Sequence, residues 1–244
     1  MTPTAIVLAV TSALLVGLSK TGLPGASLPA ILLMAEVYPC DARYSVGAIL
    51  PVLLAGDVFA VFWYRQHADW RRLVQLLPYV LLGMLPGVYV LQAVDGCHFR
   101  LFIGLLVALM ILIELCRKWQ NWTRVPHQWW FVAGMGFFAG FTTYVANAAM
   151  PVMTIYLLSQ DFDKRRFIGT AAWFFLILNF SKVPVYCAMG MLTWNMLPLA
   201  ATLAPLTILG SLLGVYVLAR IPQLYFDRLA LLLAGVAAIR LMAV

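Results

Sequence analysis

The chain has 244 residues, 64% of them hydrophobic and 10% charged, with a net charge of +7 and a mean hydropathy of +0.95. A soluble domain is about 45–50% apolar and about a quarter charged, so this composition excludes a soluble globular protein and describes a polytopic membrane protein. The positive charge is no nucleic-acid signal, because the basic residues stand in short clusters beside apolar stretches, where Lys and Arg set membrane orientation.

Eight apolar stretches follow one another at about 4–36, 45–64, 73–93, 99–116, 128–158, 167–190, 195–218 and 226–243. Residues 73–94, 125–160 and 183–219 contain no Asp, Glu, Lys or Arg; each run is long enough for at least one span of roughly 20 residues. The N-terminus opens on apolar residues without a charged region or a cleavage site, and reads as a membrane segment rather than a removable signal. Cys40, Cys97, Cys116 and Cys187 show no metal-ligand spacing, so no metal and no cofactor is expected.

The first stretch is too long for one span and too short for two. At 1.5 Å per residue, residues 4–36 would make a helix of roughly 50 Å against a hydrocarbon core of about 30 Å. Its middle, GLSKTGLPGASLP, is rich in Gly, Pro and Ser, and the fifth stretch carries a comparable interruption, GFTTYVANAAMP. Broken backbone at membrane depth survives only where protein or a cavity covers it. Both stretches are expected to be re-entrant hairpins of two half-helices; a tilted, kinked single helix is the alternative.

The chain nearly repeats itself. Residues 83–91 read GMLPGVYVL and residues 210–218 read GSLLGVYVL, an offset of 127. Earlier positions match at an offset of 122 or 123: Gly17 with Gly140, Pro29 with Pro151, Gly47 with Gly169, Asp57 with Asn179 and Tyr64 with Tyr186. Two halves follow, 1–120 and 121–244. Equivalent loops carry opposite charge: Arg65, Arg71 and Arg72 follow the second stretch, whereas their counterpart near Asn195 has no basic residue. Arg43 stands alone where the other half has Lys164, Arg165 and Arg166. Opposite bias means opposite insertion. The expected fold is therefore all-α, made of two inverted repeats, each a broken first segment followed by three transmembrane helices, with both termini non-cytoplasmic.

Charges inside spans are functional hypotheses by default. Lys20 lies in the first break, Asp57 in the second stretch and Lys182 in the sixth, three residues after Asn179 and on the same helix face. Glu114, near Arg117 and Lys118, is accounted for by an interfacial pair. Asp57, Asn179 and Lys182 are expected to converge where the halves meet, either as a structural Asp57–Lys182 ion pair or as an anion site with Asp57 in proton or ion coupling. The first break adds Ser19, Lys20 and Thr21 as donors, with Gly22 and Gly25 permitting close backbone approach. The second adds Thr142, Thr143 and Asn147 as neutral donors. No HExxH, paired Asp or buried Ser–His arrangement appears, so an intramembrane enzyme is disfavoured against a transporter; an anion channel stays open as a rival.

The segment GLSKTGLPGASLPAILL, the following LPVLLAGDVFAVFWYRQHADW and the later IGTAAWFFLILNFSKVPVY resemble the TauE/SafE family of sulfite and organosulfur-compound exporters. The resemblance covers essentially the whole chain. It implies a bacterial inner-membrane transporter exporting a small sulfur-containing anion, with the lipid bilayer and that anion as its partners, and it leaves a homo-oligomer open.

Overall fold

The computed structural model describes residues 3–38, 41–94, 96–119, 128–158, 160, 162–217 and 239. The described residues form nine α-helices, and no strand occurs among them. The eighth apolar stretch apart from Ile239, together with Cys40, Arg124, Arg220, Arg228 and Arg240, lies outside the described residues, as do the side chains of Glu114, Arg117 and Lys118. Among the described residues, five helical segments are long and apolar enough to cross a membrane: Pro3–Thr21, Ala42–His67, Trp70–Ala93, Arg165–Ala188 and Trp194–Tyr216.

Both long stretches are broken. The first divides into α1 (Pro3–Thr21) and α2 (Ser27–Val37), separated by a turn through Gly22, Leu23 and a 3-10 segment at Pro24–Ala26. The Ser12 hydroxyl donates to the Ala30 carbonyl at 2.7 Å, so α2 folds back along α1. Three further helices complete this part: α3 (Ala42–Tyr64), α4 (Trp70–Ala93) and α5 (Gly96–Trp119). The fifth stretch divides at Asn147 into α6 (Trp129–Ala146) and α7 (Met150–Leu158). Asn147 has φ 55, and its amide and that of Ala148 bond the Thr143 and Thr142 carbonyls at 3.0 and 3.2 Å. Asn is one of the few side chains that accept this left-handed conformation, which ends a helix abruptly. Then come α8 (Lys164–Ala188) and α9 (Leu197–Val217).

The tip of the α1–α2 hairpin stops part-way along α3. A Cβ at Gly56 would meet the Lys20 Cγ at 3.0 Å, and Asp57 is seven residues before the end of α3, about 10 Å of helix. The tip therefore lies inside the span rather than at its far end.

The glycines of the sequence repeat fix the helix pairs. A Cβ at Gly17 would collide with the backbone of Thr207 and Ser211, and one at Gly210 with the Leu14 carbonyl, so α1 and α9 touch backbone to backbone. A Cβ at Gly140 would collide with Val80 and Met84, and one at Gly83 with the Phe137 carbonyl, which brings α6 against α4 in the same way. Each contact of one pair maps onto the other by adding 123 on α1 and subtracting 127 on α9. In both pairs the residue numbers rise together, so the helices run parallel. By contrast α3 and α8 cross antiparallel: Gly47 meets Met191, and Gly169 meets Tyr64 and His67. Tyr89 and Tyr216 of the repeated motif are 70% and 66% exposed, so its glycines face inward while its tyrosines face the lipid side.

The basic loops gather at one end. The Arg166 guanidinium pairs with the Asp69 carboxylate at 2.6 Å, and the Asp69 amide donates to the Thr170 hydroxyl at 3.0 Å. The Arg65–Arg72 segment and the N-terminus of α8 are therefore neighbours, with Trp70 packed on Trp173. Asp41 and Arg43 pair at the N-terminus of α3, the opposite end of that helix.

Candidate functional site

At the level where α3 and α8 cross, the two hairpin tips and the two crossing helices bring a continuous polar cluster together. Lys20, at the last turn of α1, places Nζ 2.7 Å from the Asp57 Oδ1 of α3; their side chains are 4% and 0% exposed. Asn179 of α8 donates from Nδ2 to Asp57 Oδ2 at 2.6 Å. Lys182, one turn further along α8 and also 0% exposed, donates to Asn179 Oδ1 at 2.8 Å. Its Nζ also reaches Thr143 Oγ1 and Asn147 Oδ1 of the second hairpin, each at 2.7 Å. Asn147 in turn donates from Nδ2 to the Val46 carbonyl at 3.2 Å. The cluster thus runs from α1 through α3 and α8 to the tip of α6.

The hydrogen bonds fix the amide orientations. Asn179 must turn its NH2 to the Asp57 carboxylate, and Asn147 its NH2 to a carbonyl, so both present oxygen to Lys182. Three acceptor oxygens around one Nζ match the three donors of an ammonium. The ammonium serves all three oxygens at once, whereas a neutral amine would serve the two amide oxygens and need the Thr143 hydroxyl to donate to its lone pair. The Lys20 side chain packs against Gly56, and its Nζ lies 4.5 Å from the Phe175 ring centroid, a cation–π contact in a dry setting.

Between the tips lies a cavity of about 10 Å³, lined by Ser19, Lys20, Thr143, Asn147 and Asn179 on its polar side. Val16, Ile31, Leu53, Met150 and Phe175 make the apolar wall, and Ser27 completes the lining. That volume is at the threshold for one water molecule, so the site is closed around itself. Ser27 and Met150 are the first residues of α2 and α7. Both returning half-helices therefore direct their N-terminal ends, where the helix dipole is positive, toward the cavity.

The expected convergence of Asp57, Asn179 and Lys182 is present, with two corrections. Asp57 does not pair directly with Lys182; Asn179 stands between them, and the ion partner of Asp57 is Lys20. The reason is reach: Lys182 is drawn to three oxygens of α6 and α8, whereas Lys20 extends from the opposing hairpin over Gly56. Thr143 and Asn147, expected as donors, are acceptors toward Lys182.

Other expected residues do not line the cavity. The Thr21 hydroxyl donates to the Ser211 carbonyl at 2.7 Å, and Gly22 packs on the backbone of Gly214; both serve the α1–α9 seam. Thr142 donates to the Phe138 carbonyl of its own helix at 2.7 Å. Gly25 belongs to the 3-10 turn between the half-helices and is not part of the cavity wall. Phe175, Leu53, Ser27 and Met150 were not anticipated. Leu53 and Phe175 carried a signal, since they occupy matching positions of the two halves at the offset of 122.

A comparison with protein families matches residues 5–241 to the sulfite exporter TauE/SafE family. No curated protein and no solved structure matches the chain. The family match spans nearly every residue, includes both broken stretches and agrees with the apolar helices described above. The chain belongs to the TauE/SafE family of sulfite exporters, and it is a multi-pass membrane protein of that transporter family.

Proposed function

We propose that the protein exports a small sulfur-containing anion by alternating access, with the site between the two hairpin tips. One observation carries this reading: two lysines and one carboxylate are buried together where two broken helices meet. Buried charge is costly and is retained in spans where it serves ions or substrates. Half-helix N-termini aimed at the same point add anion-attracting dipoles, an arrangement suited to oxyanions. Lys20 and Lys182 are the cationic groups in this reading. Ser19, Thr143, Asn147 and Asn179 supply polar contacts, and Asp57 competes with the anion for Lys20.

The same reading takes residues 1–120 and 121–244 as inverted repeats. Support comes from the glycine contacts, which exchange α1–α9 for α6–α4, and from the antiparallel crossing of the equivalent helices α3 and α8. Helices related by symmetry and running in opposite directions imply a two-fold axis perpendicular to them. The basic end, with Arg65, Arg71, Arg72, Arg165 and Arg166, is then cytoplasmic, and the N-terminus lies on the other side of a bacterial inner membrane. Closure of the cavity fits an occluded state between two open ones.

The test is uptake into liposomes of a panel of sulfur oxyanions and sulfonates by the native protein, Lys20→Ala and Lys182→Ala. Loss of saturable flux in both variants, with retained folding, is expected. Flux equal to native in both would remove the site from the transport path.

A further inference from the structure

Asp57 has an asymmetric place in the buried cluster. Its counterpart in the other half is Asn179, and the two are hydrogen-bonded to each other. The lysines also occupy matching stations by different routes. Lys20 approaches Asp57 from α1, whereas its sequence counterpart Thr143 receives the Lys182 ammonium, which also bonds Asn179. Each side of the crossing thus has one ammonium beside residue 57 or 179. Only one side has a carboxylate.

The charged groups acting on Asp57 are Lys20 and Lys182. With both lysines protonated and Asp57 ionised, the cluster carries a single positive charge in a region shielded from water. Lys182 already has three oxygen partners, while Lys20 lines the cavity beside Phe175. A singly charged anion beside Lys20 brings the cluster to neutrality. A dianion leaves it with an uncompensated negative charge, against an apolar wall of Val16, Ile31, Leu53 and Phe175, and unpaired buried charge is strongly disfavoured.

We propose that Asp57 is a charge filter: by cancelling one of the two buried lysines it restricts the site to monoanions, so the transported form is bisulfite or a sulfonate rather than the sulfite or sulfate dianion. This rests on the transport reading given above. It makes Asp57 a specificity residue acting through Lys20, separate from any part in proton coupling. Replacement by Asn keeps the size of the side chain and an oxygen for Asn179, but raises the residual charge by one.

The experiment uses the full chain in liposomes and compares sulfite with methanesulfonate, a monoanion at every pH of interest. As pH rises and bisulfite gives way to the dianion, the ratio of sulfite to methanesulfonate flux in the native protein is expected to fall in step. Any proton coupling acts on both substrates and cancels in the ratio. In Asp57→Asn, inhibition of methanesulfonate flux by sulfate is expected to strengthen at least about tenfold relative to native, as complementary charge selects partners. A merely structural defect would lower flux without moving that preference. If the variant does not fold, the native pH ratio decides alone. A ratio independent of pH, or sulfate competing equally with native protein, overturns the filter while leaving transport intact. Absence of flux for every anion overturns the transport reading and the filter with it.

Discussion

Lys20 and Asp57 form a buried ion pair, Nζ to Oδ1 2.7 Å, that ties the tip of the first hairpin to the middle of α3. The pair is extended across the crossing by Asn179 and Lys182. Breaking a buried pair by removing one partner leaves the other charge uncompensated, at a cost of about 3–5 kcal/mol.

Lys20→Met is therefore expected to destabilise the protein by that order. Lys20→Met combined with Asp57→Asn, which removes both charges of the pair, is expected to recover much of the loss. Thermal unfolding in detergent of the two single variants and the double variant measures the coupling. Additive losses would mean that the two side chains do not interact energetically.

Lys182 has three oxygen partners, so its loss strands acceptors on two helices. Lys182→Met is expected to destabilise by several kcal/mol. Lys182→Met combined with Thr143→Val should lose less than the sum of the single changes, because the Thr143 hydroxyl then has no missing donor. The same unfolding measurement checks it.

The glycine seams give a prediction in matched pairs. Gly17→Ala and Gly140→Ala place a methyl group into the backbone of α9 and α4 respectively. Overpacking of this kind costs about 1–3 kcal/mol. The two variants are expected to lose similar melting temperature, and Gly134→Ala, with open space around it, is expected to lose little.

At the basic end, burial pushes the Asp69 carboxyl up, but the Arg72 amide and the Arg166 guanidinium outweigh it and hold it below the usual range. A group whose folded value is depressed contributes stability above its unfolded value and loses it as pH falls through the folded one. The Asp69–Arg166 link between α4 and α8 is thus present at neutral pH and lost below about pH 4. With Arg166 half exposed, its worth is about 1 kcal/mol or less. Melting curves over acidic pH check this: the native protein should lose its small advantage over Asp69→Asn as the pH falls.

Much of this was legible in the sequence, for identifiable reasons. The breaks at Gly22–Gly25 and Asn147 were visible because glycine, proline and asparagine interrupt apolar runs that would otherwise continue. Asp57, Asn179 and Lys182 stood out because charge in a span is costly, and the repeat paired the first two. The partner of each was not legible. Whether Lys20 or Lys182 reaches Asp57 depends on side-chain reach across helices distant in sequence, and on the space that Gly56 leaves. Thr21, Thr142 and Gly22 stand outside the cavity wall, because small residues serve helix seams and their own backbone as readily as a cavity. Phe175 stands in an apolar run like many others, and only the three-dimensional position of the Lys20 ammonium reveals its contact.

The decisive measurement is counterflow of labelled sulfite in liposomes, comparing the native protein with Lys20→Ala. A carrier whose site lies between the hairpin tips gives saturable entry that unlabelled sulfite on the inside accelerates, and the variant loses that acceleration. Entry that is proportional to concentration, indifferent to sulfite on the other side and equal in the variant would contradict both the alternating mechanism and the place of the site.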